Sequence, residues 1–201
     1  MPSVYDFKPR FQALLRPIVG KLAANGVSAN QVTIAAMALS ILAGGIIAFV
    51  SADGVLLLLP AVLLIRMALN AIDGMLAREH GQASALGALL NELGDVISDA
   101  ALYLGLIPHL GLPVLVVAIV FAALVGEFAG AMAPTIGAGR RYDGPMGKSD
   151  RALAFSIVAI AVVLWHPAPW VMEAALTVIL VLAVATIWNR CRAALRERGN
   201  A

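Results

Sequence analysis

Six apolar stretches follow one another along this chain, at 31–51, 54–79, 85–107, 112–133, 151–166 and 168–189. Most are close to the roughly 20 residues that a helix needs to cross a bilayer, and only the fifth is short. Backbone inside hydrocarbon has to satisfy its own N–H and C=O groups, so the stretches read as helices and the fold as all-α. Turn chemistry separates them: Ser51-Ala52-Asp53-Gly54, His80-Gly81-Gln82, Pro108 to Pro113, the 134–150 loop, and His166-Pro167 through Pro169. Of the 201 residues only 13% are charged, where a soluble domain would carry about 25%. The expectation is one polytopic membrane domain over 1–201, with an interfacial helix and linker at 1–29, a six-helix bundle at 30–190 and a cytoplasmic tail at 191–201.

Lys and Arg set the expected orientation. Lys8, Arg10, Arg16 and Lys21 precede the first span, and Arg78 lies between the second and third. Arg140, Arg141, Lys148 and Arg151 lie between the fourth and fifth, and Arg190, Arg192, Arg196 and Arg198 follow the last. The opposite loops hold no Lys or Arg, so both termini are expected on the cytoplasmic side. The first 25 residues alternate cationic and apolar positions without an apolar core and cleavage site, so no cleavable signal is expected. Within them Phe7, Phe11, Leu14, Leu15, Ile18 and Leu22 form one helical stripe, which predicts an amphipathic helix lying in the interface, bent or interrupted at Pro17. The basic residues gather where lipid head groups or phosphorylated substrates would lie, which argues against a nucleic-acid partner. The single cysteine, Cys191, excludes an internal disulfide and a cysteine metal cage. His80, His109 and His166 have no metal-ligand spacing and are read as loop residues.

The segment from Asn70 to Asp99, NAIDGMLAREHGQASALGALLNELGDVISD, places acids and amides inside what otherwise reads as two spans. A carboxylate at such a position is costly without a metal, a counter-charge or water, so it marks a functional site. Asn70 and Asp73 share one helical face, and Asn91, Asp95 and Asp99 share another. At about 1.5 Å per residue, two antiparallel helices bring Asp73 level with Asn91, and Asn70 level with Asp95. Four oxygen-bearing side chains converging in this way suit a hard cation, Mg²⁺ or Mn²⁺. Gly74, Ala77 and Gly87 leave room beside the carboxylates, and Arg78 adds a charge, which favours a nucleotide or phosphate pocket over simple helix packing.

These residues resemble the signature of the CDP-alcohol phosphotransferases, D-x2-D-G-x2-A-R, eight residues, then G-x3-D-x3-D. Asn70, Asp73, Gly74, Ala77, Arg78, Gly87, Asn91 and Asp95 stand at its spacings. The six spans, the interfacial helix and the GVSANQVT run before the first span extend the resemblance over most of the chain. The resemblance implies transfer of a phosphatidyl group from a CDP-linked lipid such as CDP-diacylglycerol to an alcohol, with release of CMP. It also implies two metal ions, Mg²⁺ or Mn²⁺, bridging the diphosphate at Asn70, Asp73, Asn91 and Asp95. Gly74, Ala77, Arg78 and Gly87 would accommodate the nucleotide, and Asp95 would be the general base. Members are commonly homodimers.

The chain departs from the signature at its first and third aspartates, which are Asn70 and Asn91 here. Two formal charges are lost. Three readings are compatible with that: Asp99 or Glu92 restores charge, a single metal suffices, or the chain is a silent relative that binds a nucleotide-lipid as a regulatory or scaffold subunit. Asp99, a turn deeper than Asp95, fits a supporting role. Arg140, Lys148 and Arg151 are candidates for gripping an anionic acceptor. Glu127, inside the fourth span, is expected to turn toward the cavity or to pair with Arg66. A transporter is disfavoured because no polar track continues through the fourth to sixth spans.

Overall fold

The structure is a computed structural model that describes residues 4–199, with side chains from Phe11 onward. Regular structure among the described residues is entirely helical: α1 (Val4–Ala24), α2 (Ala29–Phe49), α3 (Leu58–Glu79), α4 (Ala85–Leu104), α5 (Ile107–Leu110), α6 (Pro113–Met132), α7 (Lys148–Trp165) and α8 (Pro169–Gly199). Single 3₁₀ turns at Asp53–Leu57 and Ala133–Ile136 precede α3 and follow α6. Four stretches, Ala29–Phe49, Asp53–Glu79, Pro113–Ile136 and Pro169–Gly199, are long and apolar enough to cross a membrane. The helices α4 and α7 fall where the third and fifth spans are expected. Each carries three charged residues along its length: Glu92, Asp95 and Asp99 on α4, and Lys148, Asp150 and Arg151 in the first turn of α7.

The chain divides into two compact units, Met1–Leu42 with Ala61–Ser98, and Ala43–Pro60 with Asp99–Ala201. In the first, α1 ends in a Schellman turn: Gly26, at φ 75°, donates to Ala23 O and Val27 donates to Leu22 O. Two residues later Ser28 opens α2 with a capping box. Its hydroxyl accepts from Gln31 N at 3.2 Å while the Gln31 side chain accepts from Ser28 N at 2.9 Å. The GVSANQVT run is thus a helix stop followed by a helix start. Gln82, in the turn between α3 and α4, accepts from Ala29 N at 2.6 Å and donates to Val27 O at 3.3 Å, tying that turn to the first turn of α2. Ser84 caps α4 by accepting from Gly87 N at 3.0 Å.

Helix α1 continues through Pro17, where the sequence led us to expect a bend or an interruption, and no interruption occurs. Its apolar stripe divides. Leu15 and Val19 are buried with Phe11 and Leu22 against Val32, Ile72, Met75 and Leu76, whereas Leu14 and Ile18 face outward. Neighbouring apolar residues on a helix point about 100° apart, so the run Leu14-Leu15 serves two surfaces at once. Phe7 lies outside the residues whose side chains are described. Between Leu15 and Pro17, Arg16 forms a bidentate pair with Glu79 at the end of α3.

In the second unit α6 packs along α8. The inward residues of α8, Met172, Leu176, Ile179, Ala183, Thr186 and Arg190, recur every three to four positions. Tyr103 and Phe155 stack with ring centroids 4.2 Å apart. The loop between α6 and α7 is pinned to α8 at Thr186, whose hydroxyl accepts from Met146 N at 2.8 Å. Where α2 crosses α4, Gly44 lies against the backbone of Ala101, and Gly105 against the backbone of Gly44. A methyl at either position would collide with main chain that has no means of turning aside.

Gly44→Ala is therefore expected to cost about 1–3 kcal/mol of stability. Gly45→Ala, with nothing within 4 Å of the added carbon, should be nearly neutral. Thermal unfolding in detergent tests the pair, and equal midpoints would mean that the crossing relaxes freely.

Candidate active site

Residues that recur every three to four positions bring the polar groups of α3 to one face. Arg66, Asn70, Asp73 and Ala77 follow in that order, and on α4 Gly87, Asn91 and Asp95 do the same. The two faces meet. Asn70, Asp73, Gly74, Ala77 and Arg78 of α3, with Gly87 and Asn91 of α4, line a single cavity of about 360 Å³. Its remaining wall comes from Asn30 and Thr33 on α2 and from the Gln82–Ser84 turn. The small residues leave space in a specific way. An added carbon at Gly74 would meet the Arg78 guanidinium, which folds back over it, and one at Gly87 would meet Asn30 Oδ1 and Ser84 Oγ.

Asp73 is buried, and its Oδ2 accepts a 2.8 Å hydrogen bond from Thr33, whose hydroxyl also reaches Ala29 O. Asp95 lies one turn beyond Asn91 and does not line the cavity. Its Oδ1 accepts from Asn70 Nδ2 at 3.3 Å and stands 3.6 Å from Arg66 Nη2. Arg66 is almost fully buried, at 3% exposure. Asp99, a further turn along α4, belongs to the second unit and does not share this arrangement.

The donors fit a hard divalent ion by chemistry, since each is a carboxylate or amide oxygen. The charge available is small. Among the described residues no three His, Cys, Asp or Glu side chains come together as a metal site. A cation in the cavity would rest on Asp73 with the neutral amides of Asn70 and Asn91, while Asp95 stands one turn beyond the lining.

The second unit holds a separate ion cluster. Arg151 Nη2 lies 3.1 Å from both Asp99 Oδ2 and Glu127 Oε1, and Nη1 donates to Met146 O. Arg190 Nη1 lies 3.1 Å from Glu127 Oε2 and donates to Gly126 O at 2.6 Å. Arg140 approaches the same Glu127 oxygen at 3.8 Å. Glu127 thus finds its partners in Arg140, Arg151 and Arg190, while Arg66 finds one in Asp95. Of the proposed acceptor residues, Arg151 and Arg140 already face carboxylates, and Lys148 opens α7 behind the Gly147–Asp150 cap. Outside the spans, Arg141 binds both Asp143 and Glu197. Its guanidinium holds the Asp143 carboxyl below the usual range.

Sequence reasoning passed over Arg66 as a partner of Asp95, and Thr33, Asn30 and Gln82 as walls of the cavity. The signal for the last three was present, since GVSANQVT contains Asn30 and Thr33 and the glutamine follows a turn glycine. Arg66 sits 29 positions before Asp95, and nothing local joins them.

The fold and the site define an all-helical protein with membrane-length apolar helices and an oxygen-lined cavity walled by glycine, alanine and one arginine. The chain belongs to the CDP-alcohol phosphatidyltransferase family, which it matches over residues 26–188. It is 46% identical over 203 residues to the inner membrane protein YnbA of Escherichia coli strain K12, with 96% of each chain covered. It shares its fold with the phosphatidylinositol phosphate synthase PgsA1 of Mycobacterium tuberculosis. Against PgsA1 with CDP-DAG bound the TM-score is 0.73 at 22% identity, covering 90% of this chain and 92% of that one. Against PgsA1 in complex with manganese and citrate it is 0.74 at 22% identity, covering 89% and 88%.

Two outcomes are expected. Thr33→Val removes the donor that orients Asp73 and should weaken Mn²⁺ binding by about tenfold without unfolding the protein; unchanged affinity would show that Asp73 is not a ligand. Asp143, with its folded pKa depressed, adds stability that is fully present above about pH 4 and lost as pH falls through the lower folded value. Cleavage of the 137–147 loop by a protease should therefore be faster in Asp143→Asn than in the parent at pH 7. The two should converge in acid, and the difference should be modest because water still reaches and screens the half-buried pair.

Proposed function

We propose that this protein transfers a phosphatidyl group from a CDP-linked lipid, of which CDP-diacylglycerol is the type, to an alcohol hydroxyl. The observation that carries the reading is the gathering of seven of the eight signature residues around one cavity, with the eighth, Asp95, one turn along α4. Gly74, Ala77 and Gly87 give a nucleotide diphosphate close access to the helix backbones, and Arg78 supplies a cation beside it. Asp73, oriented by Thr33, would hold Mg²⁺ or Mn²⁺ together with the amide oxygens of Asn70 and Asn91. Such an ion, when bound, would offset the charge of the diphosphate and of the departing CMP.

Asp95 is the general base. It takes the proton of the acceptor hydroxyl as that oxygen bonds to the phosphorus bearing the lipid. The bond from that phosphorus to the bridging oxygen breaks, and CMP leaves with the electron pair. Arg66 and Asn70 orient the carboxylate that does this. An anionic acceptor would use Arg140, Lys148 and Arg151, and would have to compete with Glu127 and Asp99 for the arginines.

The same reading takes α4 and α7 as spans beside the four apolar ones, with α1 in the interface on its Leu14 and Ile18 face. Both termini and the active site are then cytoplasmic, the 201 residues act as one domain, and a homodimer is the expected assembly.

The test is CMP release by purified protein given CDP-diacylglycerol, Mg²⁺ or Mn²⁺ and pooled alcohol acceptors. Acceptor-dependent release is expected, and Asp95→Asn should lower it by at least a hundredfold while donor binding persists. Metal-dependent donor binding with no release in the parent would overturn the enzyme reading.

A further inference from the structure

The signature this chain follows has four aspartates, and two divalent ions balance them. Here only Asp73 and Asp95 carry charge, and a guanidinium is already in place. Arg66 is buried at 3% exposure on α3, one turn before Asn70, and its Nη2 stands 3.6 Å from Asp95 Oδ1. Asn70 Nδ2 reaches the same oxygen at 3.3 Å. One hydrogen-bonding amide and one guanidinium cation, the latter in ion-pair range, therefore face the Asp95 oxygen that turns toward α3, where a metal-binding aspartate would present an oxygen to a cation. A divalent ion seated on that oxygen would lie within a few ångströms of a buried positive charge, in surroundings that screen it poorly. Asn70 works in the same direction, since an amide can donate to Asp95 where an aspartate could not.

We propose that Arg66 is a positioning residue that takes the electrostatic place of a second divalent ion, so that this protein binds one ion rather than two. The inference rests on the phosphotransferase reading of the site and sharpens it. The one ion belongs to the Asp73 and Asn91 end of the cavity. Asp95, held by Arg66 and Asn70 instead of by a metal, keeps an oxygen available to take the acceptor proton. Arg66 and the two asparagines then form a single compensated set: removing carboxylates and adding a fixed cation leave the charge near the diphosphate close to that of a site with more acids and more metal.

The experiment is Mn²⁺ binding to the purified full-length protein in detergent, followed by the loss of the free-ion electron paramagnetic resonance signal. The parent should bind one Mn²⁺ per chain. Arg66→Met removes the opposing charge, so Mn²⁺ should bind about tenfold more tightly; a merely structural arginine would leave affinity unchanged or lowered. Arg66→Lys should stay at the parent's value. Arg66→Met combined with Asn70→Asp and Asn91→Asp should bind two ions.

Should Arg66→Met fail to fold, Asn70→Asp with Arg66 retained still decides, because it should hold one ion, bound more tightly. Two ions in the parent, or in Asn70→Asp alone, would overturn the role of Arg66 while leaving the metal site standing. No saturable Mn²⁺ binding in any variant would overturn the metal site, and the inference with it.

Discussion

A charge placed among apolar helices has to be answered by another charge close at hand, and this constraint organises the protein. Arg66, Arg151 and Arg190 are each at most 3% exposed, and each has a carboxylate within 3.6 Å. In the first unit Arg66 answers Asp95. In the second the answer is shared, with Glu127 serving three arginines and Asp99 helping with one of them. Removing one partner of such a pair leaves the other uncompensated, which costs far more than the pair contributes. The helices that carry these groups are thereby tied to one another by polar residues as well as by apolar ones.

The cavity illustrates how weak sequence signals become a site. Glycines and alanines on α3 and α4 would mean little alone, since small residues are common wherever helices approach closely. Their effect comes from what stands opposite them. Arg78 occupies the space over Gly74, and Asn30 and Ser84 occupy the space over Gly87. The space beside each of the two glycines is therefore bordered by polar groups.

Much of this was legible from spacing. Positions three and four apart on a helix share a face whatever surrounds them, so Asn70 with Asp73, and Asn91 with Asp95, could be read directly. The opposition of Asn70 and Asp95 followed from the short turn between α3 and α4. Partnerships between distant segments were not legible. Glu127 meets residues 13, 24 and 63 positions away, and Arg66 meets one 29 positions on, through packing that no local pattern encodes. The end of α8 was also missed: hydropathy marks where a helix leaves hydrocarbon, near Asn189, and not where it stops. The arginines and glutamates beyond are good helix formers and carry it to Gly199.

That length has a mechanical consequence. A helix of 31 residues is about 46 Å long, whereas the hydrocarbon slab is about 30 Å thick. Helix α8 overshoots the slab as a mast overshoots a deck. Glu197, near its tip, holds Arg141 and the Gly139 amide, so the 137–147 loop is stayed to the overshoot as well as to Thr186 below. A thinner or thicker bilayer changes the tilt of such a mast. Whatever α8 does in response, the loop leading into α7, and with it the first turn that bears Lys148 and Arg151, is carried along.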